Sequence, residues 1–339
     1  MIAWITDRGA FAALADEWDA ALRPPTPFMT HAWLLAWWDA FGTSAGAMRV
    51  CTMREDGRLV AALPLHLRRG TLRAWANADT DTVVPLGDPH ALARAVHAER
   101  WSLLHLPGLP DPAPFATGRT IVEPYDDSPI IETTTSFDDY RAGLGKSTRQ
   151  RIGKALRRLE RAHEVTITTL VQPAGVEAAL ALEHAGWKGR NGSSVLSDPQ
   201  RTALYRALAP HLHGSELRVD VALAAFDLAL VHDRRVASLL TSYDERLAKH
   251  SPGLLLRMAL VEHCCASDLV ANDLLGTKLD WKQSLATTDA PTQTLRAYRG
   301  PAGTARYVGR RTLIPAARRA KDALAARRSA RARGDAAAR

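Results

Sequence analysis

The feature that most constrains this chain is the stretch from Arg234 to Lys282, RRVASLLTSYDERLAKHSPGLLLRMALVEHCCASDLVANDLLGTKLDWK. Arg235 to Tyr243 reads as a short strand, and Asp244 to His250 as a polar loop. Ser251 can accept a hydrogen bond from an early helical amide, and Pro252 suits the first helical position, where no donor is needed. The helix then runs from about Gly253 to Ser267, apolar on nearly every side, as a helix packed under a sheet should be. A buried strand at Leu269 to Leu275 completes a βαβ unit. Its loop presents free amides and the positive helix end, and Gly253 lets a ligand approach the backbone closely. A phosphate or pyrophosphate fits such a place. An ordinary capped helix with no ligand is the other reading of the same residues.

The rest of the chain is consistent with a large globular protein. Its 339 residues correspond to ~2 domains of ~150 residues. With 46% hydrophobic and 24% charged residues, it has the composition of a soluble fold. No apolar run approaches the ~18 residues of a membrane span, and Asp220 and Asp227 interrupt the most apolar stretch. The N-terminus carries Asp7 and lacks a basic-then-apolar signal pattern. Cys51 and the adjacent Cys264 and Cys265 give neither a disulfide framework nor zinc spacing, which predicts a cytoplasmic protein. His211 and His213 can share one side of a strand, but no third ligand accompanies them, so no metal is predicted.

The net charge of +8 is localised. Residues 310–339 hold ten basic and two acidic residues, while the preceding 309 carry 34 of each sign. This tail, counted as 301–339 with its approach, is Ala/Arg-rich, and within 310–339 Leu313, Ile314 and Leu324 are its large apolar residues. It cannot insert a strong apolar face into a bilayer. It can lie on an anionic membrane surface, at the inner face, or on nucleic acid phosphates. A solvated, partly helical tail is the alternative.

Taken in order, Ile2 to Ile5 is a strand and Gly9 to Leu22 a helix. Thr30 can cap a helix that carries Trp33, Leu34, Trp37, Trp38 and Phe41 at helical spacing, an aromatic stripe best read as core, and Gly42 ends it. Met48–Arg54 and Arg58–Leu67 read as a hairpin about Glu55-Asp56-Gly57. Strands around 71–76 and 101–106 flank a helix at 89–99. Ser147 and Gln150 form a capping box that opens a helix to about Ala162, with Ile152, Leu156 and Leu159 as its apolar stripe. Seven basic residues and one Glu160 lie in 146–161. Such a helix suits a phosphorylated ligand, a nucleic acid backbone or an acidic partner, or else is a solvated face balanced by acidic neighbours. The strand Val165–Leu170, the helix Gly175–Gly186, a loop from Lys188 to Pro199, strands at 219–231 and 235–243, and a last strand at Leu295–Tyr298 follow.

Two motif matches fail on context. Gly42-Thr43-Ser44-Ala45-Gly46 has nucleophile-elbow spacing but follows a helix where a strand is needed. Gly145-Lys146-Ser147 resembles the end of a phosphate-binding loop, yet Tyr140 stands where the first glycine should be.

Tyr243-Asp244, Ser251-Pro252-Gly253, Asp273-Leu274-Leu275 and Lys282 resemble the signature of the GNAT-type acyltransferases of the CelD/BcsL group, associated with cellulose and exopolysaccharide production. Pro27-Phe28, Trp33, Trp37-Trp38, Phe41-Gly42, the basic helix 146–161, Trp187 and Arg190 resemble it too, so the similarity spans about 25–300. The chain departs from it at His250 and Trp281, where tyrosine is frequent, and at Gly276-Thr277, where Arg-Gly is usual. The resemblance implies a mixed α/β fold of two tandem GNAT-like halves, each a mostly antiparallel sheet flanked by helices. They would be 1–145 and 146–300, breaking near 133–146.

The resemblance further implies acyl transfer from acetyl-CoA or another acyl-CoA to an amine or hydroxyl of a small-molecule or glycan-precursor acceptor. Ser251, Pro252, Gly253, Leu254 and Leu255 would hold the cofactor. Asp273 and Lys282 are the first catalytic candidates, Tyr243 and Asp244 the second, and Trp187, Arg190 and Trp281 would meet the substrate. A Fem-type aminoacyl-tRNA-dependent ligase shares the twin plan, although the long helical hairpin of many Fem ligases has no room here. A catalytically silent binding module is the third possibility.

The tail lacks core-forming residues, so truncation at 309 should leave the melting temperature nearly unchanged. The same truncation should weaken retention on anionic vesicles or nucleic acid, most at low salt. A large fall in melting temperature would show instead that the tail docks as a structural element.

Overall fold

The computed structural model describes residues 1–172 and 176–313. The chain opens with β1 (Ile2–Ile5), α1 (Arg8–Ala12), α2 (Ala15–Leu22) and α3 (His31–Ala45). β2 (Ala47–Glu55) and β3 (Arg58–Arg68) form the expected hairpin, followed by β4 (Thr71–Ala74), α4 (Pro89–Ala98) and β5 (Leu103–Leu109). β6 (Thr120–Glu132) and α5 (Phe137–Gly143) lead to α6 (Lys146–Glu160). Next come β7 (Val165–Val171), α7 (Glu177–Ala185), α8 (Trp187–Arg190), α9 (Pro199–Leu208), β8 (His213–Val219) and β9 (Ala222–His232). β10 (Arg235–Tyr243), α10 (Pro252–Ala266) and β11 (Ala271–Asp273) are the βαβ unit read from the sequence. α11 (Asp280–Gln283), β12 (Thr288–Tyr298) and α12 (Gly300–Val308) complete the described elements used below.

All twelve strands join one sheet in the order β1-β2-β3-β4-β5-β12-β6-β11-β10-β9-β8-β7. Two neighbouring pairs are parallel, β4 with β5 and β10 with β11. Each is joined through a helix, α4 or α10, because parallel strands need a long crossover. The mixed α/β fold of two tandem halves expected from the resemblance is therefore present. The halves also exchange strands: β6 pairs with β11, and the late strand β12 lies between β5 and β6.

Several local expectations are corrected. The helix read over 9–22 is two helices, α1 and α2. The aromatic helix runs on to Ala45, and Gly42 sits inside it, where a Cβ would come within 2.7 Å of the Trp38 ring. Its stripe is core as expected, with Trp37 and Trp38 stacked on Trp75 at 5.8 and 4.7 Å. The Ser147 capping box does not form; α6 starts two residues earlier, at Lys146 after Gly145, without a side-chain cap. Arg149 instead reaches back to the carbonyls of Ala142 and Leu144. Leu156 is exposed, and Thr148, Ala155 and Leu159 are the buried side.

Three strand readings also change. The stretch read as one strand at 219–231 is a hairpin of β8 and β9, turned at Asp220 and Val221, both with positive φ. The strand after α10 shortens to three residues, whereas the last strand lengthens to eleven. β6, with Pro124 and Pro129 in it, had no strand signal. Residues 314–339 of the basic tail and Gly175 lie outside the described residues. Arg310, at the start of the predicted tail, pairs with Glu123 at 2.5 Å.

The α10 helix is fixed to the sheet by a buried charged cluster. Arg257, 4% exposed, donates to Asp227 on β9, to Ser238 on β10 at 2.7 Å and to Asn272 on β11 at 2.7 Å. Asn272 donates in turn to Ser238 and to the Val236 carbonyl, both at 3.1 Å. Burial raises the Asp227 carboxyl, and the guanidinium beside it pulls the other way. One arginine thus ties three strands together under one helix. Removing one member of such a pair strands the other charge, which typically costs about 3–5 kcal/mol. Arg257→Leu should therefore lower unfolding free energy in urea by that order. The double variant Arg257→Leu/Asp227→Leu should recover most of the loss. Equal losses in both would show that the side-chain volume, not the unpaired charge, matters.

Candidate functional site

β10 and β11 stay paired only from Arg235 to Ala237, against Ala271 to Asp273. β10 then continues along β9 to Tyr243 with nothing on its other side, since β11 has ended. The result is a wedge in the middle of the sheet, between Ser238–Tyr243 and the loop after Asp273. A cavity of about 570 Å³ occupies it, within the size range of small-molecule sites. Its walls include the β10 edge, the start of α10, the loop and α11 from Leu274 to Leu285, and Tyr125 and Asp126 of β6.

Besides β6, the first half supplies one more wall. β4 and β5 form the equivalent parallel pair, but their wedge is filled by residues 75–87. Val83 donates to the Gly108 carbonyl at 2.9 Å, and Leu86 pairs with Ala62. Gly108 and Gly87 permit this. Both have positive φ, and a Cβ would lie 2.8 Å from the Asp81 carbonyl at the first and 2.0 Å from that of Val60 at the second. The filling segment carries Asp79, Thr80 and Asp81 into the wedge of the second half. One half has given up its own cleft to furnish the other.

Asp81 is the central group. Only 8% exposed, it accepts from the Gly276 amide at 2.7 Å and from the Thr82 hydroxyl at 3.2 Å. Burial, and then the nearby Asp273 and Asp126, push its carboxyl up to about 6, against the pull of these hydrogen bonds. Asp126 is also raised by burial. The Lys282 ammonium, lowered by burial, is held up by Asp81, Asp126 and Asp273, and donates to the Leu275 carbonyl. One lysine among three carboxyls offsets a single negative charge, and burial raises all three carboxyls. Asp79 is fixed by Arg201 of α9 at 2.7 Å and by the Tyr205 hydroxyl at 3.3 Å, which locks the segment in place.

Of the residues read from the sequence, Tyr243, Ser251, Gly253, Leu254, Trp187, Trp281 and Lys282 line the cavity. Among the described residues, five of the twelve exposed large hydrophobics, Tyr125, Trp187, Tyr243, Leu279 and Trp281, ring this one opening, so its mouth is apolar while its floor is acidic. The other candidates lie elsewhere. Asp273 is behind the lining, accepting from the Ser128 hydroxyl and from the Leu275 amide at 2.9 Å, and burial raises it. Asp244 caps the turn at 245–250 and is held low by Arg246 at 2.6 Å. Arg190 pairs with Glu245 at 2.7 Å away from the cavity, and Pro252 and Leu255 are buried in the core.

The start of α10 also differs in detail from expectation. Ser251 adopts a left-handed φ of 51° and makes no side-chain cap. Its carbonyl takes the amides of Leu254 and Leu255, and its own amide bonds to Ala248. Pro252 has no amide hydrogen, so of residues 251–255 the Gly253 amide is the one without a partner outside its own helix, and Gly253 lines the cavity. Arg151 of α6 lines the cavity too. None of the seven basic residues in 146–161 has a carboxylate partner among the described residues, so the expected balance by acidic neighbours is absent. Sequence reasoning missed Asp79, Asp81, Tyr125, Asp126 and Arg257. The first two sit in a plain polar loop, and only the sheet topology brings them to the wedge.

Comparison with known proteins agrees with this geometry. Residues 146–283 match the family described as acetyltransferase (GNAT) domain. No curated protein matches the chain. Among solved structures, FemX superposes with a TM-score of 0.58 at 9% identity, over 88% of this chain and 97% of that one. The C-terminal domain of a putative lysylphosphatidylglycerol synthetase from Agrobacterium fabrum gives 0.57 at 12% identity, over 88% and 95%. A conserved protein of unknown function from Bacteroides thetaiotaomicron gives 0.55 at 13%, over 88% and 100%. At these identities the superpositions speak to the fold alone. No helix among the described residues is long and apolar enough to cross a membrane. The wedge beside α10 thus lies largely within the segment 146–283 that is similar to the acetyltransferase (GNAT) domain family, with residues 78–81 and 125–126 of the first half completing its walls.

Proposed function

We propose that the protein transfers an acyl group from a coenzyme A thioester to an amine or hydroxyl, with Asp81 as the group that takes the acceptor's proton. The observation that carries this is the open β10 edge facing a buried carboxyl raised to about 6. A general base works best with a pKa near the operating pH. Bound coenzyme A thioester would supply the activated acyl carbonyl.

The chain's own residues suit that ligand. Main-chain groups of Ser238–Tyr243 offer a strand edge to an amide-bearing arm, and the Gly253 amide and Arg151 suit its phosphates. Trp187, Trp281 and Leu279 shield the cleft mouth from water. Lys282 fixes a positive charge beside Asp81, and Asp273 positions the turn whose Gly276 amide holds it. The acidic floor favours an acceptor amine or a hydroxyl-rich sugar, in keeping with a glycan or cell-envelope precursor such as an exopolysaccharide unit. A role at the inner membrane face, through the basic tail, belongs to the same proposal.

A second reading, an aminoacyl-tRNA-dependent ligase, draws on the unneutralised basic face of α6 at the cleft mouth and on the likeness to FemX. Calorimetry separates the two. Coenzyme A should bind the wild type, and Gly253→Asp, which places a carboxylate at the free amide, should weaken it by about 10-fold or more. Binding of tRNA with none of coenzyme A would favour the ligase.

The chemistry has its own test. With a working acceptor, kcat/KM should rise with pH through an apparent pKa near 6, because Asp81 must be ionised. Asp81→Asn should lower turnover by at least ~100-fold, the usual scale for a general base, and abolish that limb. Because folding raises this carboxyl, its charge opposes folding above pH 6 and the penalty disappears as pH falls towards 4. Asp81→Asn should therefore melt no lower than wild type at pH 8. Unchanged turnover in the folded variant would remove Asp81 from the mechanism.

A further inference from the structure

A second cavity, of about 510 Å³, lies in the first half against the β3–β4 turn and α3. Arg68, Arg69, Arg73 and Arg306 line it, and no carboxylate does. Arginine stays charged at any relevant pH, and none of these four has an acidic partner among the described residues. Arg68 donates to the Ser44 carbonyl at 2.6 Å, and Arg306 to the Thr71 hydroxyl at 3.1 Å and the Arg69 carbonyl at 3.3 Å. These neutral acceptors orient the guanidinium groups without cancelling their charge.

The sheet underneath adds to the same field. His66, Arg73, His105 and Arg296 face one another across β3, β4, β5 and β12 in direct register, so all four project from one face. Glu123 answers Arg296 and Arg310 at the far end of this row, at 2.6 and 2.5 Å. The near end has no such answer. His66, 8% exposed, leaves Nδ1 without a partner, and the buried Nε of Arg73 and Nε1 of Trp37 are likewise unpaired. Buried polar atoms are nearly always satisfied in folded proteins, so the two orphan donors in this basic pocket, Arg73 Nε and Trp37 Nε1, call for a missing acceptor, whereas a neutral His66 keeps one of its ring nitrogens as an acceptor. Burial and the neighbouring Arg73 and Arg68 hold His66 down to about 4, which leaves the arginines as the source of charge.

We propose that this pocket binds a phosphate-bearing small molecule, its anionic group held by Arg73, Arg69 and Arg306 and any organic part lying along Phe41. Guanidinium groups match phosphate oxygens in a bidentate manner. The pocket also contains Ala76 and Asn77, the start of the segment that delivers Asp79 and Asp81 to the cleft. Asn77 is bonded to Asp79 and Thr80. A ligand here therefore sits at the start of that segment, whose next residues line the cleft, in a cavity with none of the cleft's lining residues, and its binding does not depend on what the cleft does.

Arginine labelling by phenylglyoxal, read residue by residue by mass spectrometry on the full chain, tests the proposal. Inorganic phosphate, pyrophosphate and phenyl phosphate are the probes. Each should slow labelling of Arg69 and Arg306, pyrophosphate by on the order of 10-fold, while Arg8 and Arg234 on distant surfaces keep their rates. Stronger protection by phenyl phosphate than by phosphate would assign an organic phosphate, and equal protection a free one; either sustains the site. In calorimetry, Arg69→Gln/Arg306→Gln should weaken pyrophosphate by a similar factor, even in a Gly253→Asp background that removes binding at the cleft. Unchanged labelling at Arg69 and Arg306, or pyrophosphate binding that Gly253→Asp alone abolishes, would overturn it.

Discussion

The hydrogen bond from the Gly276 amide to Asp81 joins the two halves at the floor of the shared cleft. It spans 195 residues of sequence. It needs Asp81 delivered by a segment that fills the first half's own wedge. It also needs Gly276 in the left-handed region, beside Leu275 in the same region. Each side of the bond has its own support. Asp79 anchors the segment to Arg201, and Asp273 holds the turn through the Leu275 amide. A carboxyl kept this dry would be costly unless its lone pairs were used. The bond therefore helps explain why Asp81 is tolerated there, while burial, against the pull of this bond, is what raises its carboxyl.

The second half is organised to keep its wedge open. Arg257 clamps β9, β10 and β11 at the point where β10 and β11 part, bonded to Asn272 among the last paired residues, to Ser238 at the start of the wedge and to Asp227 opposite Thr241. A β10 edge without a neighbour would be a liability on a protein surface. Inside a cleft walled by α10, β6 and the first half, it is shielded from other chains and accessible to a slender ligand. Strand exchange, with β6 against β11 and β12 against β5, makes the halves one sheet and prevents the cleft from widening freely.

Much of this architecture could be read from residues with local signatures. The Ser-Pro-Gly helix start, the Glu55-Asp56-Gly57 hairpin and the aromatic stripe of α3 each carry a turn, cap or period that acts over a few residues. The failures share a cause. Val221 turns a hairpin that lacks glycine, β6 runs through two prolines, and Ser147 loses its cap to the longer reach of Arg149. In each, tertiary contacts overrode a local preference. At the site, Lys282, Tyr243 and Gly253 were legible because they belong to a recognisable signature. Asp81 was not, because nothing local distinguishes Ala78-Asp79-Thr80-Asp81 from any polar loop. Its role arises from where a different half of the chain places it.

Hydrogen–deuterium exchange of the full-length protein with and without saturating coenzyme A addresses the shared cleft directly. Slowed exchange in 238–243 and at Gly253, together with segment 77–81 from the other half, is the expected result. Protection confined to the first half, or none in 238–243 despite measurable binding, would contradict a cofactor cleft at the parting of β10 and β11.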